Sequence, residues 1–279
     1  MMLLPRAIAR RAIRVFIYLA AVARTHAWYG RAERWLQRGL RLGTAALEPD
    51  DPTIALVLND LGVVHKAQGR FAEAGLAYRR ALTIRVQAGG EDPAALATLY
   101  HNLGGLEHAR GRYAIGEPFA RRALEIRREL LGPDHPEVAA DAVALAALLE
   151  GRGRYDEATA LYRQALAIFE RALGPDHADI AVILNNLAAV RQATGDLADA
   201  EALYQRALMN KERRLGPRHP DVAMTLNNLA VLHRMQGREA DAAAAYRRAL
   251  AIFDEALGAD HPAVRACREN LKRLRPSGT

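Results

Sequence analysis

The sequence Leu-Gly-Pro-Asp-His at residues 131–135 returns every 42 residues along this chain. It reads Leu-Gly-Pro-Asp-His at 173–177, Leu-Gly-Pro-Arg-His at 215–219 and Leu-Gly-Ala-Asp-His at 257–261. Two series of single residues keep the same step: Gly69, Gly111, Gly153, Gly195 and Gly237, and Leu61, Leu103, Leu145, Leu187, Leu229 and Leu271. Self-similarity at a fixed period predicts a solenoid, in which each unit buries its apolar face against its neighbours.

The segment 215–256 shows what one repeat contains. Gly216 suits a left-handed helix end, and Pro220 suits a first helical position. We expect a first helix over about 220–235, a turn at 236–238 and a second helix to about 256. Its inward-facing residues are Val222, Leu226, Leu229, Ala230 and His233 on the first helix, and Ala242, Tyr246, Ala249, Leu250 and Phe253 on the second. This spacing predicts an antiparallel helix pair.

This repeat resembles a known family. The residues that match the tetratricopeptide pattern are Leu226, Leu229, Ala230, His233, Gly237, Ala242, Tyr246 and Ala249. The 42-residue length, the LNNLA segments at 184–188 and 226–230 and the LGPDHP linker resemble the kinesin light chain subtype. The resemblance covers residues 47–271. It implies an all-α fold, a right-handed superhelical solenoid of antiparallel helix pairs.

The 42-residue step also predicts the organisation of the chain. Residues 1–46 form a degenerate, arginine-rich first repeat that acts as an N-terminal cap. Five repeats follow at 47–88, 89–130, 131–172, 173–214 and 215–256. Residues 257–279 contain a closing helix at about 262–274 and a frayed tail, Pro276–Thr279.

Composition limits the classes of function. The chain has 279 residues, a net charge of +7 and one cysteine, Cys267, so it forms no internal disulfide. Residues 1–42 hold nine arginines and one acid, Glu33, whereas the remaining residues hold 30 basic against 31 acidic side chains. A solenoid that wraps nucleic acid needs positive charge along its groove, so this distribution argues against a nucleic-acid partner.

The resemblance also implies which residues face the concave groove formed by the first helices. The predicted groove residues are Asn59, Lys66, His101, Asn102, His108, Val143, Asn185, Asn186, Gln192, Asn227, Asn228 and Arg234. Asparagine carries a donor and an acceptor, so a row of them can pair with the backbone of an extended peptide. Lys66 and Arg234 would attract acidic side chains, and Val143 would leave an apolar step. The alternative is that the asparagines bridge helices within the stack.

We predict no metal, no cofactor and no catalytic residues. The linker histidines His135, His177, His219 and His261 should lie about 10 Å apart, too far to share an ion, and should lie near helix caps. His101 and His108 lack a matching set of metal ligands. No phosphate loop, GxSxG or HExxH motif occurs in the sequence, so we expect a non-enzymatic protein.

The N-terminal segment leaves several interpretations open. A helix here would carry Arg6, Arg10 and Arg14 on one face and Ile8, Val15, Leu19 and Val22 on another. Residues 1–24 would therefore suit a membrane surface, but they also resemble a secretory signal or an organelle transit peptide. Because Leu19 lies in repeat register, we favour a retained capping helix and a cytoplasmic protein, with export or organelle targeting as the alternative.

The function that we predict is a scaffold that holds an extended peptide or a partner helix in its concave groove. One alternative is attachment to a membrane surface or to nucleic acid through the arginine-rich N-terminus. Another is a detached regulatory partner of a separate enzyme. The sequence does not define an oligomeric state.

Overall fold

The computed structural model describes residues 5–89, 92–257 and 261–274. These residues form thirteen α-helices and no strand. They divide into two compact units, residues 1–133 and 134–279. None of the described helices is both long enough and apolar enough to cross a membrane. The predicted tail at 276–279 lies outside the described residues.

Unit 1 is a stack of three antiparallel helix pairs. Its helices are α1 (Arg6–Thr25), α2 (Tyr29–Ala46), α3 (Pro52–Ala67), α4 (Phe71–Gln87), α5 (Pro93–Ala109) and α6 (Tyr113–Leu131). Each first helix packs against the second helix of its own pair, and α2 and α4 then pack against the first helix of the next pair. The odd-numbered helices are therefore the first helices, which the sequence analysis assigned to the groove.

Unit 2 repeats this arrangement and ends in a single helix. Its helices are α7 (Pro136–Gly151), α8 (Tyr155–Leu173), α9 (Ala178–Ala193), α10 (Leu197–Leu215), α11 (Pro220–Met235), α12 (Glu239–Leu257) and α13 (Pro262–Lys272). The predicted bounds of α11 match the structure. The closing helix ends at Lys272, two residues before the predicted end. The repeat boundaries proposed from the sequence remain a proposal.

The linker histidines begin the three first helices of unit 2 and its closing helix. In each case the ring Nδ1 accepts a hydrogen bond of 3.2–3.3 Å from the backbone N–H two residues later. These N-caps are His135, His177, His219 and His261. An N-cap acceptor pairs a backbone donor that the helix itself leaves free, which explains why a histidine recurs at this position.

The linker glycines differ from the expected helix end. Gly216 has a positive φ of 84°, but its ψ is 157°. The predicted left-handed helical conformation is therefore wrong in ψ: the backbone is extended, because the chain must leave α10 at once to reach the cap at His219. This combination of angles is open essentially only to glycine.

Alanines and tyrosines between the paired helices form much of the core. Tyr78, Tyr162, Tyr204 and Tyr246 are at most 3% exposed and recur at one repeat position, from which only Ala120 departs in this span. On the facing first helix a small residue lets the ring approach. In the first such pair this residue is Gly62, at which an added Cβ would overlap the ring of Tyr78. Close packing therefore sets the helix spacing at these sites.

A cluster of polar side chains joins neighbouring repeats in unit 2. Glu201 on α10 accepts hydrogen bonds from Arg238 at 2.8–2.9 Å, from Gln236 at 3.0 Å and, through a close contact of 3.2 Å, from the ring of His233. Unit 1 has the same cluster at equivalent repeat positions, made by Glu33, Arg70, Gln68 and His65. A carboxylate with three partners fixes the register of a second helix against the following pair.

Candidate functional site

The first helices expose apolar side chains at one repeat position. Leu56 on α3, Val182 on α9 and Met224 on α11 are 41%, 49% and 57% exposed. They lie at multiples of 42 residues from one another, so they occupy the same repeat position, at which α5 and α7 carry Thr98 and Ala140. Side chains of this size normally help to fill a core. Two of them, Val182 and Met224, border one cleft in unit 2.

A cleft with exposed apolar side chains lies in unit 2, between α9 and α11. Its volume is about 430 Å³. Three of the predicted asparagines line it, Asn185, Asn186 and Asn228. The other lining residues are Ala178, Ala181, Val182, Lys211, Arg214, Leu215, Asp221 and Met224. The cleft thus combines apolar walls, amide groups, two basic side chains and one carboxylate.

The cleft asparagines are partly engaged within the protein. The Asn185 amide donates to the Ala181 carbonyl at 2.8 Å, and the Thr225 hydroxyl lies 3.4 Å from its side-chain oxygen. The Asn186 side chain is a hydrogen-bond partner of the Tyr162 hydroxyl. Each asparagine has more donors and acceptors than these contacts use. The bridging role and the peptide-binding role considered above are therefore compatible.

Lys211 is a functional candidate that the sequence analysis missed. It reaches from α10 to the N-terminal half of α11, where its Nζ donates to the Thr225 hydroxyl at 2.9 Å and to the Asp221 carbonyl at 3.2 Å. Partial burial lowers its pKa, and the charge of Asp221 offsets this only in part. An ammonium group has three N–H donors, and these two contacts use two of them. The third can donate a hydrogen bond to a ligand.

Lys211 lies at the cleft because it occupies a position that recurs every 42 residues on the second helices. Lys211 lies 42 residues after Phe169 and 42 residues before Phe253. Phe169 lines a second cleft and Arg85 lines a third, so the side chains at this repeat position line three clefts. The signal was present in the sequence: at this repeat position Arg85, Arg127 and Lys211 are basic, whereas Phe169 and Phe253 are aromatic.

In unit 1 the predicted groove residues of α3 and α5 meet. The Asn102 amide donates to the Asn59 side-chain oxygen at 2.8 Å. A cleft of about 120 Å³ lies beside Asn59 and has Arg85 at its floor. Arg85 lies 3.3 Å from a carboxylate oxygen of Asp92, so part of its charge is already neutralised.

Lys66 and His108 form a second polar region in unit 1. Burial lowers the pKa of Lys66. Partial burial, and after it the positive charge of Lys66, lowers the pKa of His108, whose ring packs edge-on against Tyr113. The Lys66 Nζ lies over Gly105, where an added Cβ would come within 3.0 Å. This region is basic and partly covered, so it suits a carboxylate ligand. His101, also predicted here, is half-buried and has a partner within the protein.

Val143 lies in the apolar step that the sequence analysis expected. It lines a cleft of about 120 Å³ in unit 2 together with Ala140, Phe169, Val182, Ile183 and Asp179. All of these except Asp179 are apolar. The cleft shares Val182 with the larger cleft between α9 and α11, so the two adjoin.

The remaining predicted residues stand apart from these clefts. The Gln192 amide lies 3.2 Å from the sulfur of Met235, and its oxygen is 3.4 Å from the Tyr204 hydroxyl. Asn227 is half-buried and Arg234 is exposed, and neither lines a described cleft. In the described part of the chain, no three His, Cys, Asp or Glu side chains come together as they would around a metal ion.

Comparison with known proteins agrees with this architecture. The tetratricopeptide repeat family matches residues 13–85, 95–171, 140–213 and 179–255. No curated protein shows significant similarity to the chain.

Several solved structures share the fold. One is BtubC (BKLC) from P. vanneervenii, with a TM-score of 0.59 and 21% identity over 97% of this chain and 95% of that chain. A second is a Podosopora anserina putative kinesin light chain with nearly identical TPR-like repeats, with a TM-score of 0.57 and 24% identity over 66% and 87% of the two chains. A third is the Rap conjugation gene regulator of plasmid pLS20 in complex with the Phr* peptide, with a TM-score of 0.64 and 16% identity over 82% and 60%.

At these identities the solved structures show the fold alone. The family match extends over most of the sequence and coincides with the helix pairs of both units. The solved relatives include kinesin light chain-like proteins, in agreement with the 42-residue repeat. The chain belongs to the tetratricopeptide repeat family.

Proposed function

We propose that this protein is a non-enzymatic interaction scaffold that binds an extended peptide, or one face of a partner helix, along its first helices. The observation that carries the proposal is the cleft between α9 and α11. There, exposed Val182 and Met224 lie beside the amide groups of Asn185, Asn186 and Asn228. Apolar side chains of a ligand would contact Val182 and Met224, and the ligand backbone would form hydrogen bonds with the asparagine amides.

The charge of the cleft favours a ligand with at least one carboxylate. Lys211 and Arg214 contribute two positive charges against one acid, Asp221. In unit 1, Lys66 adds a half-buried basic group, and burial lowers its pKa. The sign is therefore the same in both units, and an acidic peptide would be attracted to each.

The structural relatives are compatible with this function. The Rap regulator was solved with a peptide bound, and its fold resembles that of this chain. Tetratricopeptide stacks are built of repeats whose concave surfaces bind other proteins. The partner of this chain is thus expected to be a protein or peptide segment that is extended when bound.

A displayed library of random 12-residue peptides would test the proposal. Selection against the wild-type protein should enrich sequences that pair an acidic residue with apolar ones. Binding of a selected peptide, measured by isothermal titration calorimetry, should weaken at least about tenfold in the Asn186→Ala/Asn228→Ala variant.

The matched control removes two amide groups from the second helices, in Gln164→Ala/Gln205→Ala. This variant should bind the peptide as the wild type does. Failure to enrich any peptide, or equal loss of affinity in both variants, would contradict the proposed groove. Circular dichroism of each variant would establish that its helices are intact.

A further inference from the structure

The first helix of unit 1 carries two apolar faces. One is buried in the core and consists of Ala9, Ile13, Ala20 and Ala23. The other points away from it and consists of Ile8, Val15, Tyr18 and Val22, which are 53%, 53%, 67% and 40% exposed. Their spacing of seven, three and four residues places them in one stripe on a helix. An amphipathic helix needs only the buried face to fold onto its neighbours, so the exposed stripe requires a separate explanation.

The arginines of this helix divide into two groups. Arg6, Arg10 and Arg24 form ion pairs with Glu48, Asp51 and Asp60, respectively. These three pairs attach α1 to the start and middle of the next repeat. Two other arginines, Arg11 and Arg14, are exposed and form no ion pair within the described residues. By helix geometry Arg11 lies within the apolar stripe and Arg14 lies at its edge.

The stripe continues past the end of α1. The His26 ring contacts the Val22 carbonyl at 3.0 Å and stacks on Trp28, with 4.8 Å between ring centroids. Trp28 is half exposed, and the Arg31 guanidinium lies 4.7 Å from its ring centroid. Further along α2, Arg34, Trp35 and Arg38 border a cleft of about 330 Å³ together with Arg31. The exposed surface thus mixes apolar, aromatic and cationic side chains.

We propose that this surface docks on a membrane that contains anionic phospholipid. We define the docking surface as Ile8, Arg11, Arg14, Val15, Tyr18, Val22, Trp28 and Arg31. The apolar stripe would enter the boundary between head groups and acyl chains, and Tyr18 and Trp28 would lie at the head-group level. Arg11, Arg14 and Arg31 would contact lipid phosphates.

Charge distinguishes this occupant from a second copy of the chain. Two copies meeting through the stripe would bury Arg11 and Arg14 in an interface whose defined residues include no acid to pair with them, and burying unpaired charge is unfavourable. A polyanion such as nucleic acid would satisfy the arginines but would leave Ile8, Val15 and Val22 exposed to water. An anionic lipid surface satisfies both kinds of side chain.

The test is co-sedimentation of the full chain with vesicles. Two vesicle compositions are compared: pure phosphatidylcholine, and phosphatidylcholine with about 30% of the anionic lipid phosphatidylglycerol. The wild type should bind the anionic vesicles and leave the neutral ones. Arg11→Gln/Arg14→Gln should lower the partition coefficient about 30-fold, the effect of removing two basic groups near an anionic surface. Val15→Ser/Tyr18→Ser should lower it at least about tenfold.

Two control variants carry equivalent changes elsewhere. Arg163→Gln/Arg247→Gln removes two exposed charges from the second helices of unit 2. Leu76→Ser/Ile115→Ser removes apolar side chains that are 64% and 54% exposed on α4 and α6. Both controls should sediment as the wild type does. All variants should keep the wild-type melting temperature, because the substituted side chains are exposed.

Three outcomes would overturn the proposal. The first is no binding to anionic vesicles. The second is binding that Val15→Ser/Tyr18→Ser leaves unchanged, since charge alone would then explain it. The third is binding to a 20-base-pair DNA duplex, or a dimer in analytical ultracentrifugation, that the stripe variants abolish while vesicle binding is absent. The groove variant Asn186→Ala/Asn228→Ala should not alter vesicle binding, so this proposal and the proposed function fail independently.

Discussion

Lys211 occupies, one repeat later, the position of Phe169, and the two side chains form the floors of adjoining clefts in unit 2. Phe169 is buried, whereas Lys211 is half-buried and keeps a donor available. The same backbone position thus makes one cleft apolar and the next cationic. We therefore expect a substitution at this position to change which ligand side chains the cleft binds, without moving the first helices.

Replacing Lys211 with methionine should therefore weaken binding of an acidic peptide about fivefold at 50 mM salt. Methionine has a similar length and no charge, so the loss reports the ammonium group. The difference from wild type should shrink at 500 mM salt. Titration calorimetry at the two salt concentrations would measure this, with Arg163→Met on the outer surface as the control. An unchanged affinity at low salt would exclude Lys211 from the site.

Two buried glycines, Gly62 and Gly39, should respond in opposite ways to substitution by alanine, because Gly62 contacts the ring of Tyr78. Gly62→Ala should lower the free energy of unfolding by about 1–2 kcal/mol, because the added methyl meets the ring of a fully buried tyrosine. Gly39→Ala should raise it by about 0.5–1 kcal/mol. Its methyl would make ordinary contacts of 3.6–3.7 Å with Phe16, Val57 and Ile13, and alanine favours the helix.

Urea unfolding monitored by circular dichroism would measure both changes. Because both sites lie in unit 1, each variant serves as the control for the other. Stabilisation by Gly62→Ala would show that the ring of Tyr78 has room to move, which would contradict the close packing described above.

The cluster around Glu201 predicts a dependence of stability on pH. Burial alone would raise the pKa of Glu201, but hydrogen bonds from Arg238, Gln236 and His233 outweigh it, so the pKa lies below its ordinary value of 4.5. A carboxyl with a lowered pKa in the folded state stabilises the protein above its unfolded pKa. This contribution is lost as the pH falls through 4.5 and then through the folded value.

Glu201→Gln should accordingly be less stable than wild type at pH 7, by about 1 kcal/mol. The difference between the two proteins should shrink as the pH falls from 5 to 3. Thermal melts at pH 7, 5, 4 and 3 would show this, with Met209→Ala, an exposed change on the same helix, as the control. A difference that stays constant with pH would show that the charge of Glu201 is not what holds the cluster.

The histidine caps predict graded effects at one position. His219→Ala should lower the free energy of unfolding by about 0.5–1 kcal/mol, because the backbone N–H of Asp221 loses its acceptor. His219→Asn should retain or exceed the wild-type stability, because asparagine is a preferred N-cap residue. Chemical unfolding of the two variants would test this. Equal losses in both would mean that the ring contributes through packing rather than through the cap.

Much of the fold was predictable because the 42-residue period leaves few choices. The bounds of α11, most of the inward faces of α11 and α12 and the role of the histidines as caps followed from helix spacing and cap chemistry. The predicted His233 and Leu250 are only half-buried, whereas Leu232 and Ile252 are buried and were not predicted. The ψ of Gly216 did not, because it depends on where the following helix begins. The ion pairs of Arg6 and Arg10 also did not, because their partners lie about 40 residues away.

The site was less predictable than the fold. The family pattern predicted which face of each first helix is exposed, and Asn185, Asn186 and Asn228 line a cleft there; their role in binding stays a prediction. Asn227 and Arg234 were predicted on the same grounds and lie outside the described clefts. Lys211 was missed because it belongs to a second helix, which the pattern assigns to the core. Only the packing of α10 against α11 places its Nζ at the cleft.

Photo-crosslinking of a selected peptide tests the central claim most directly, through two methionines of similar exposure. Met224 lies in the cleft on α11 and is 57% exposed, whereas Met209 is 53% exposed on α10 and does not line the cleft. Each would be replaced by p-benzoylphenylalanine in turn. The account predicts a strong peptide adduct from position 224 that excess unlabelled peptide removes, and none from position 209. Equal adducts from both positions, or an adduct from position 209 alone, would contradict binding along the first helices.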